Sequence, residues 1–462
     1  MKYSSQAIFK QHLKPGGRGE FEAPPAGLFF LADIFMDKPL RLLHTSDWHL
    51  GRALCGRRRL AEFAAFLDWL VETIDREKVD VLAVAGDVFD SSAPSAQIQS
   101  LYYRFLGRVA LETDCGQAVI IAGNHDSPAL LAAPGAILRA LDIHVVGWVE
   151  PDLRNEIFLL KDPSGGPRLI VAAVPYPRDR DLRESEAGES AGDKERKLIE
   201  AIERHYREAG RLAGELRDSL KVGAPLLAMG HLFAAGGLTV EGDGVRSLYV
   251  GALGQVPASI FPDSFNYVAL GHLHQPQVVG GNPSRRYSGA PLAHSFSEAG
   301  RPKSVTLVDF LPGGSSISQV PVPVFQRLES LKGDWDQLST ALDRLREEEA
   351  EAWLEIEYEG IEIIGDLRER VREKTSGTAL EVLRVRDTRL TDRALAENQD
   401  GETLKELDEM EVFRRCLKAH QVPAEQQPEL EAAYGEILTT LKEERPAGDE
   451  ILTGSPAGET DG

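Results

Sequence analysis

Cysteine is scarce in this chain, with three among 462 residues. Cys55, Cys115 and Cys416 are odd in number and lack CxxC spacing, which argues against a disulfide framework and against a cysteine-rich zinc site. This usage is typical of a reducing compartment, so we expect a cytoplasmic protein in which each cysteine packs as a small buried apolar residue.

Long apolar runs are also lacking. No stretch approaches the roughly 20 residues that a membrane-spanning helix needs, so we expect no membrane span. The apolar run LFFLADIF at 28–35 is short and has no convincing cleavage site after it, which argues against a secretory signal. The Gly/Pro-rich residues before it indicate a loop, and Met36 begins a run typical of a domain start. We therefore predict that residues 1–36 are an extension, either disordered or the product of a misassigned start.

The chain has no excess of basic residues, and its acidic excess is uneven. The formal net charge is −21. Residues 326–462 contain 35 acidic and 18 basic residues, whereas residues 1–325 contain 38 and 34. Duplex DNA would repel the acidic C-terminal third. Any contact with nucleic acid is therefore expected in the first 325 residues or through a partner.

What the chain does have, from residue 40 to about 310, is an alternation of short apolar runs and amphipathic patterns. This alternation is typical of an α/β layered fold, and the chain length predicts two or three domains. The predicted strands include 40–45, 80–86 and 118–123, and the predicted helices are 61–78, 95–110 and 182–220, with a mobile loop at 186–192.

Polar side chains that can ligate metals follow five of the apolar runs, at the point where each run ends. In four cases a glycine (Gly86, Gly123, Gly230 or Gly271) directly precedes the first of them, and glycine allows a sharp turn at the edge of a sheet. Taken singly, Asp47 could instead be a turn former or helix cap, and Asn124 a left-handed turn residue. The candidate residues are Asp47, His49, Asp87, Asn124, His125, Asp126, His231, His272 and His274.

Carboxylate, amide and imidazole donors without cysteine suit Mn²⁺, Mg²⁺ or Fe²⁺ better than structural zinc. Seven such donors among the nine candidates exceed the needs of one ion and suit two ions, roughly 3.5–4 Å apart, that share a bridging carboxylate. Five further histidines, all beyond residue 36, lack the strand-end context, and we expect structural roles for them: His44, His144, His205, His294 and His420.

The spaced motifs D-x-H, G-D-x-x-D, G-N-H-D, G-H and G-H-x-H resemble those of the calcineurin-like metallophosphoesterases. Longer strings, including LLHTSDWHLG, YVALGHLHQPQ and RYSGAPLAHSFSE, resemble the SbcD family, the nuclease subunits of bacterial SbcC–SbcD complexes. The resemblance extends from Met36 to about residue 440. It implies a layered β-sandwich with flanking helices, a small α+β capping domain and C-terminal helices.

The resemblance also implies roles for the candidate residues. Asp87 would bridge two Mn²⁺-like ions, and His125 would be the catalytic histidine. Asp126 would orient the His125 ring, as carboxylates near metal ligands do. Asp90 stands where some relatives carry a histidine; we assign it no firm role beyond capping the following helix. The ligand sets would be Asp47, His49 and His274 for the first ion, and Asn124, His231 and His272 for the second.

The C-terminal third is predicted to hold an α+β unit and then two amphipathic helices. Arg384, Arg386 and Arg389 could contact phosphate, but a solvated strand face is the interpretation that we favour for their pattern. The helices within 402–443 need a surface for their apolar faces, which is either the chain's own domains or a partner. The predicted boundaries are 37–322 for the nuclease domain, 323–395 for the cap, 396–445 for the partner-binding helices and 446–462 for a disordered tail.

The function that the resemblance implies is a Mn²⁺-dependent DNA exonuclease and endonuclease. It would act on double-strand ends and hairpins with the SMC-like ATPase SbcC, as a nucleoid-associated homodimer within a heterotetramer. Two alternatives remain open from the residues. One is a phosphoesterase for small phosphodiesters or phosphoproteins, and the other is a DNA-end tether whose binding matters more than its cleavage.

Overall fold

A computed structural model describes residues 39–182, 189–221, 223–234, 255–312, 314–362 and 364–387, and seven single positions between Phe413 and Tyr434. Several predicted features lie outside these residues: the extension 1–36, the tail 446–462, most of the segment 396–445, Arg389 and Cys416.

No helix among the described residues is long and apolar enough to cross a membrane. Cys115 is buried, as predicted, whereas Cys55 is exposed and the prediction of burial is wrong for it.

The strands form three sheets, and the apolar runs of the sequence are the buried central strands of the first two sheets. The strands are β1 (Leu40–Thr45), β2 (Val81–Ala85), β3 (Gln117–Ile121), β4 (Ile143–Val146), β5 (Ile157–Lys161), β6 (Pro167–Ala173), β7 (Leu226–His231), β8 (Tyr267–Gly271), β9 (Gln277–Val279), β10 (Asn282–Tyr287), β11 (Lys303–Leu311), β12 (Gly314–Val322), β13 (Leu328–Gly333), β14 (Ala352–Tyr358) and β15 (Leu380–Asp387).

The amphipathic patterns form helices that lie against these sheets. The helices are α1 (Leu60–Arg76), α2 (Ala96–Glu112), α3 (Pro128–Ala132), α4 (Gly135–Arg139), α5 (Asp179–Leu182), α6 (Ala191–Leu220), α7 (Trp335–Glu347) and α8 (Leu367–Thr375). Ser95 is the N-cap of α2, and its Oγ accepts a hydrogen bond from the Ile98 amide. The prediction that Asp90 caps this helix is therefore wrong.

Two six-stranded sheets pack face to face as a sandwich. Their strand orders are β12-β11-β1-β2-β3-β4 and β5-β6-β7-β8-β10-β9. Strands β1 to β4 run parallel to one another, and so do β6, β7 and β8. Apolar side chains fill the space between the sheets, among them Ala83, Val119, Val171 and Met229. Strands that are covered on both faces in this way read as the continuous apolar runs of the sequence.

Helices cover the outer faces of the sandwich. Apolar stripes on α1 and α2, including Phe66 and Phe105, pack with Trp48 on the first sheet, and α6 covers the second sheet through Ile202 and Tyr206. The predicted layered β-sandwich with flanking helices is confirmed.

A third sheet, β13-β14-β15, is parallel and carries α7 and α8 on one face. Asp334 begins α7 with a capping box that it forms with Gln337. Leu354, Ile356 and Tyr358 of β14 alternate with Glu355 and Glu357, a pattern that predicts a half-exposed strand. The apolar residues face the two helices, as this pattern predicts, but the glutamates on the other face are also buried, so the predicted exposure is wrong.

The third sheet rests on the sandwich through a small apolar cluster. Leu54 and Phe296 of the sandwich pack there with Leu328 of β13, and Trp353 adjoins them. The Arg57 guanidinium lies 5.9 Å from the Trp353 ring centroid. These contacts leave a cleft of about 1250 Å³ between the charged face of the third sheet and the sandwich. His125 and His294 line that cleft on the sandwich side.

Candidate metal centre

The carboxyl ends of β1, β2, β3, β7 and β8 meet at one rim, and hydrogen bonds between the two sheets hold them there. His231, at the end of β7, donates from Nδ1 to the Ala85 carbonyl at the end of β2, at 2.8 Å. The Asp47 carboxylate, beyond β1, accepts a hydrogen bond from the His272 amide, beyond β8, at 3.0 Å. Both sheets therefore contribute to a single site.

Glycines at the strand ends permit this close approach. A Cβ on Gly271 would lie 1.9 Å from the Ala85 carbonyl oxygen, and one on Gly123 would lie 2.1 Å from the Asp87 Oδ1. Any other residue at these two positions would push the sheets or the Asp87 carboxylate away. The glycine pattern in the sequence therefore has a steric cause.

Four of the candidate ligands adopt backbone conformations that L-residues rarely take. The φ angles of Asp47, His49, Asp87 and His272 are 54°, 44°, 50° and 104°. Such conformations cost on the order of 1–3 kcal/mol each and occur where a functional geometry requires them. The rim is therefore strained, and its backbone conformations do not stabilise the fold.

One group of donors surrounds His49. Its Nε2 lies 3.3 Å from His274 Nε2 and 3.5 Å from Asp87 Oδ2. Ligand atoms of Asp47, His49 and Asp87 all lie within 4.8 Å of one another. Adjacent ligands of an octahedral ion with bonds of 2.0–2.1 Å are about 3 Å apart, so these separations suit a shared ion.

A second group surrounds Asn124. Its Oδ1 lies 3.0 Å from His231 Nε2 and 3.0 Å from His272 Nδ1. His231 Nε2 also lies 3.3 Å from Asp87 Oδ2. The Asp87 Oδ2 atom is thus close to a ligand atom of each group, which is the position that a bridging carboxylate requires.

The charges of the rim call for a cation. Asp47 and Asp87 are both buried. Burial, together with the nearby Asp87 carboxylate, raises the pKa of Asp47 to about 6. Burial opposes ionisation of Asp87 as well, but the His231 imidazole holds the pKa of Asp87 well below its usual range. Two neighbouring buried carboxylates are stabilised when a divalent ion replaces protons between them.

The imidazoles of His272 and His274 are in the form that ligates metals. Burial and the neighbouring His231 lower the pKa of His272 to about 3. Burial and the neighbouring His49 lower the pKa of His274 as well. Both rings are therefore neutral at physiological pH, and a neutral imidazole offers a lone pair to a metal. The donor set fits divalent metal ions.

Asp126 does not orient the His125 ring. Its buried carboxylate accepts hydrogen bonds from three backbone amides, those of Val88, Phe89 and Gly123, at 3.1, 2.9 and 2.8 Å. The prediction that Asp126 orients the imidazole is therefore wrong. Its carboxylate instead ties the loop after β2 to the loop after β3, and so fixes the backbone that carries Asp87.

Asp90 takes the place that was predicted for Asp126. Its backbone carbonyl accepts a hydrogen bond from His125 Nδ1 at 2.9 Å, so this bond does not engage His125 Nε2. Its carboxylate Oδ1 lies 3.4 Å from His49 Nδ1 and 3.3 Å from Arg52 Nη1. Asp90 therefore orients both the predicted catalytic histidine and one predicted ligand. Sequence reasoning missed this because the carbonyl contact depends on the loop conformation alone.

His294 was expected to be structural, yet it lies at the rim. It is buried, and its ring centroid is 4.8 Å from those of His49 and His274. It follows β10 by several residues, so it carries no strand-end signal. A contact between the Ser46 and Ser288 hydroxyls, at 2.9 Å, shows that the segment after β10 passes the rim. By contrast, His44 is bonded to the Tyr267 hydroxyl between the sheets, as a structural residue.

The opposite wall of the cleft is the charged face of the third sheet. Arg384 Nε donates to Glu355 at 2.5 Å, and Arg386 donates to Glu357 at 3.4 Å. Lys332 forms a further ion pair with Glu357. Two of the arginines that could contact phosphate, Arg384 and Arg386, are therefore paired with glutamates, and Arg389 lies outside the described residues.

Comparison with known proteins places this site in context. Residues 40–276 match the family model described as calcineurin-like phosphoesterase. Residues 324–421 match the model described as type 5 capsule protein repressor C-terminal domain.

Three SbcD proteins, each named as a component of the nuclease SbcCD, are similar to this chain. The one from Escherichia coli (strain K12) is 37% identical over 415 residues, which cover 88% of this chain and 100% of that protein. The one from Rhodobacter capsulatus is 40% identical over 289 residues, covering 62% and 69%. The one from Bacillus subtilis (strain 168) is 39% identical over 278 residues, covering 59% and 67%.

Proposed function

Because the chain belongs to the SbcD family of calcineurin-like phosphoesterases, we propose that it is a Mn²⁺-dependent DNA nuclease with exonuclease and endonuclease activity. Its substrates are double-strand ends and hairpins, and it acts with an SMC-like ATPase of the SbcC type. The observation that carries the proposal is the position of Asp87 Oδ2, within 3.5 Å of His49 Nε2 and 3.3 Å of His231 Nε2.

The residues proposed to hold two ions are the two donor groups of the rim. Asp47, His49 and His274 form the first set, Asn124, His231 and His272 form the second, and Asp87 belongs to both. Divalent ions bound there supply Lewis acidity for attack on a phosphodiester. The mixture of imidazole nitrogen with carboxylate and amide oxygen favours Mn²⁺ or Fe²⁺ over Mg²⁺, which prefers an all-oxygen environment.

His125 is the proposed general acid. Its Nδ1–H is engaged by the Asp90 carbonyl, and the ring lines the cleft, so Nε2 is the atom that can protonate the leaving 3′-oxygen. Its backbone amide donates to Asp87 Oδ1 at 2.9 Å, which links the position of the acid to that of the bridging carboxylate. Asp126 fixes the backbone beneath both residues.

Partner binding is assigned to the C-terminal helices. Phe413 and Tyr434 stack with their ring centroids 4.0 Å apart, and Arg414 bonds Glu431 at 3.1 Å. These contacts support two helices that pack on each other and present a joint surface to the ATPase. A pull-down that compares the full chain with one ending at residue 395 tests this assignment. Equal capture of the ATPase by both chains would contradict it.

The activity is tested with purified full-length protein, Mn²⁺ and a labelled hairpin duplex, with and without the ATPase and ATP. We expect cleavage that EDTA abolishes. The matched variant is His125→Ala, which should lose cleavage while it retains Mn²⁺. Hydrolysis of bis(p-nitrophenyl) phosphate without any DNA cleavage would favour a small-phosphodiester enzyme. Retention of duplex ends without any hydrolysis would favour a tether.

A further inference from the structure

His294 has the bonding pattern of a metal ligand. Its Nε2 donates a hydrogen bond to the Asp47 backbone carbonyl at 3.0 Å. Its Nδ1 is buried and has no hydrogen-bond partner among the described residues. A ligating histidine typically donates one ring N–H to a carbonyl and turns the other nitrogen to the ion. His231 is bonded in this way, with Nδ1 on the Ala85 carbonyl and Nε2 at Asn124.

The location of His294 matches its bonding. A ring nitrogen of His294 lies within 4.8 Å of ring nitrogens of both His49 and His274. All three histidines are at least 95% buried, so each nitrogen lacks water as an alternative partner. A buried polar atom without a partner is costly, so the unpartnered Nδ1 of His294, in a ring beside two predicted ligands of the first ion, indicates a position where a cation would bind.

We propose that His294 is an additional ligand of the first metal ion, beside Asp47, His49, Asp87 and His274. This inference rests on the proposed metal centre and adds a ligand to it. With five protein donors, a six-coordinate ion keeps one position open for water or substrate. Three imidazoles at one ion raise its preference for Mn²⁺ and Fe²⁺ over Mg²⁺, because Mg²⁺ favours oxygen donors.

The test is metal binding by the full-length chain, stripped of metal and titrated with Mn²⁺ in a calorimeter. The variant is His294→Gln, whose side-chain amide can still donate to the Asp47 carbonyl but offers no imidazole lone pair. We expect wild type to bind two ions. We expect the variant to bind one of them about 10–100-fold more weakly, in line with losses at metal sites. The control is His144→Gln, which removes a half-buried histidine that packs on Phe158, away from the rim.

A second readout separates ligation from positioning. In the Co²⁺-loaded proteins, loss of a nitrogen ligand changes the energy and intensity of the visible absorption bands. We expect this change in His294→Gln and in His294→Ala, and an unchanged spectrum in His144→Gln. Thermal unfolding of the metal-free chains, which should be equal for wild type and His294→Gln, establishes that the variant is folded.

The outcomes distinguish this inference from the proposed function. If wild type binds two ions and His294→Gln binds them equally well with an unchanged spectrum, the inference is wrong and the proposed function stands. Weaker binding with an unchanged spectrum would also overturn it, because His294 would then only position Asp47. If wild type itself binds no Mn²⁺, the proposed function fails and the inference fails with it.

Discussion

Two charged surfaces face each other across the cleft, and they are bonded in opposite ways. At the rim, Asp47 and Asp87 are buried close together, and buried ring nitrogens lack hydrogen-bond partners among the described residues. On the third sheet, Arg384 and Arg386 each pair with a glutamate of the neighbouring strand. The rim has metal-ligating atoms that lack partners within the described chain, whereas the charges of the third sheet largely neutralise one another.

The backbone shows the same contrast. Four rim residues have positive φ, whereas no non-glycine residue of β13, β14 or β15 does. The third sheet is relaxed and internally paired, so it is stable without a ligand. The rim is strained and holds two buried carboxylates close together, so it is expected to gain stability when cations bind. This difference separates a rim that suits cations from a surface whose basic side chains are already paired with carboxylates.

The largest effect is expected at the residue that both donor groups share. Asp87→Asn keeps the shape of the side chain but removes its charge, so both ions should bind weakly. We expect Mn²⁺-dependent DNA cleavage to fall by about 1000-fold or more, because a loss of about 4 kcal/mol at the transition state has this effect. A labelled-duplex assay measures it. Asp68→Asn, which removes an exposed partner of Arg108, is the control. Cleavage within tenfold of wild type would show that Asp87 does not bridge.

The second-largest effect tests whether the rim requires the close approach of Gly123 to Asp87. In Gly123→Ala, the new Cβ would meet Asp87 Oδ1 at 2.1 Å and the Asp87 amide nitrogen at 2.3 Å. We expect Asp87 to shift, and both Mn²⁺ affinity and cleavage to fall, with a loss of about 1–3 kcal/mol in the free energy of unfolding.

The matched control for this substitution is Gly107→Ala, inside α2, where the added Cβ has nothing within 4 Å. It should increase the free energy of unfolding by about 0.5–1 kcal/mol, because alanine favours the helix. Thermal unfolding of both variants provides the comparison. Equal stability of the two alanine variants would mean that the strand ends tolerate a larger separation.

The sequence predicted the residues that depend on strand direction. Apolar runs define parallel strands, and parallel strands place their carboxyl ends at one edge, so Asp47, Asp87 and His231 could be grouped without a structure. It did not predict the contacts of the loops. The roles of Asp126 and Asp90 depend on which backbone amide or carbonyl lies nearby, and no residue pattern encodes that.

Contacts between strands that are separated in the sequence could not be predicted either. Glu355 alternates with apolar residues, which indicates an exposed position, yet Arg384 of the adjacent strand covers it. Cross-strand register decides such burial, and register in a parallel sheet is set by long-range packing. His294 was missed for a related reason, because it reaches the rim from a segment outside any strand.

An intermediate effect is expected at Asp126. In Asp126→Asn, one carboxylate oxygen becomes an NH₂ group, which cannot accept from the backbone amides. We expect the free energy of unfolding to fall by about 1–3 kcal/mol and cleavage to fall with it, because the Asp87 loop loosens. The control is Asp162→Asn, which also removes an acceptor of backbone amides but lies in an exposed turn. If Asp126 instead acted through His125, the variant would shift the pH profile of cleavage without any loss of stability.

The smallest effect is expected on the third sheet, where it tests the self-neutralised face. Glu355→Gln and Glu357→Gln keep the shape of the sheet but release Arg384, Arg386 and Lys332 from their carboxylates. If phosphate must displace these glutamates, the variants should bind duplex DNA several-fold more tightly. Their affinity should also fall more steeply with salt, by about one further unit of slope for each additional phosphate that the released side chains bind.

The control for the sheet variants is Glu348→Gln, since Glu348 pairs with Arg327 and does not line the cleft. Glu348→Gln changes the net charge of the chain by the same amount as each sheet variant. An increase in affinity that occurs only in Glu355→Gln or Glu357→Gln therefore reports competition between that glutamate and phosphate for the basic side chains. Fluorescence anisotropy at several salt concentrations measures both affinity and slope. An equal increase in all three variants would mean that only net charge matters. In that case the paired face of the third sheet would be a structural surface rather than a competitor for phosphate.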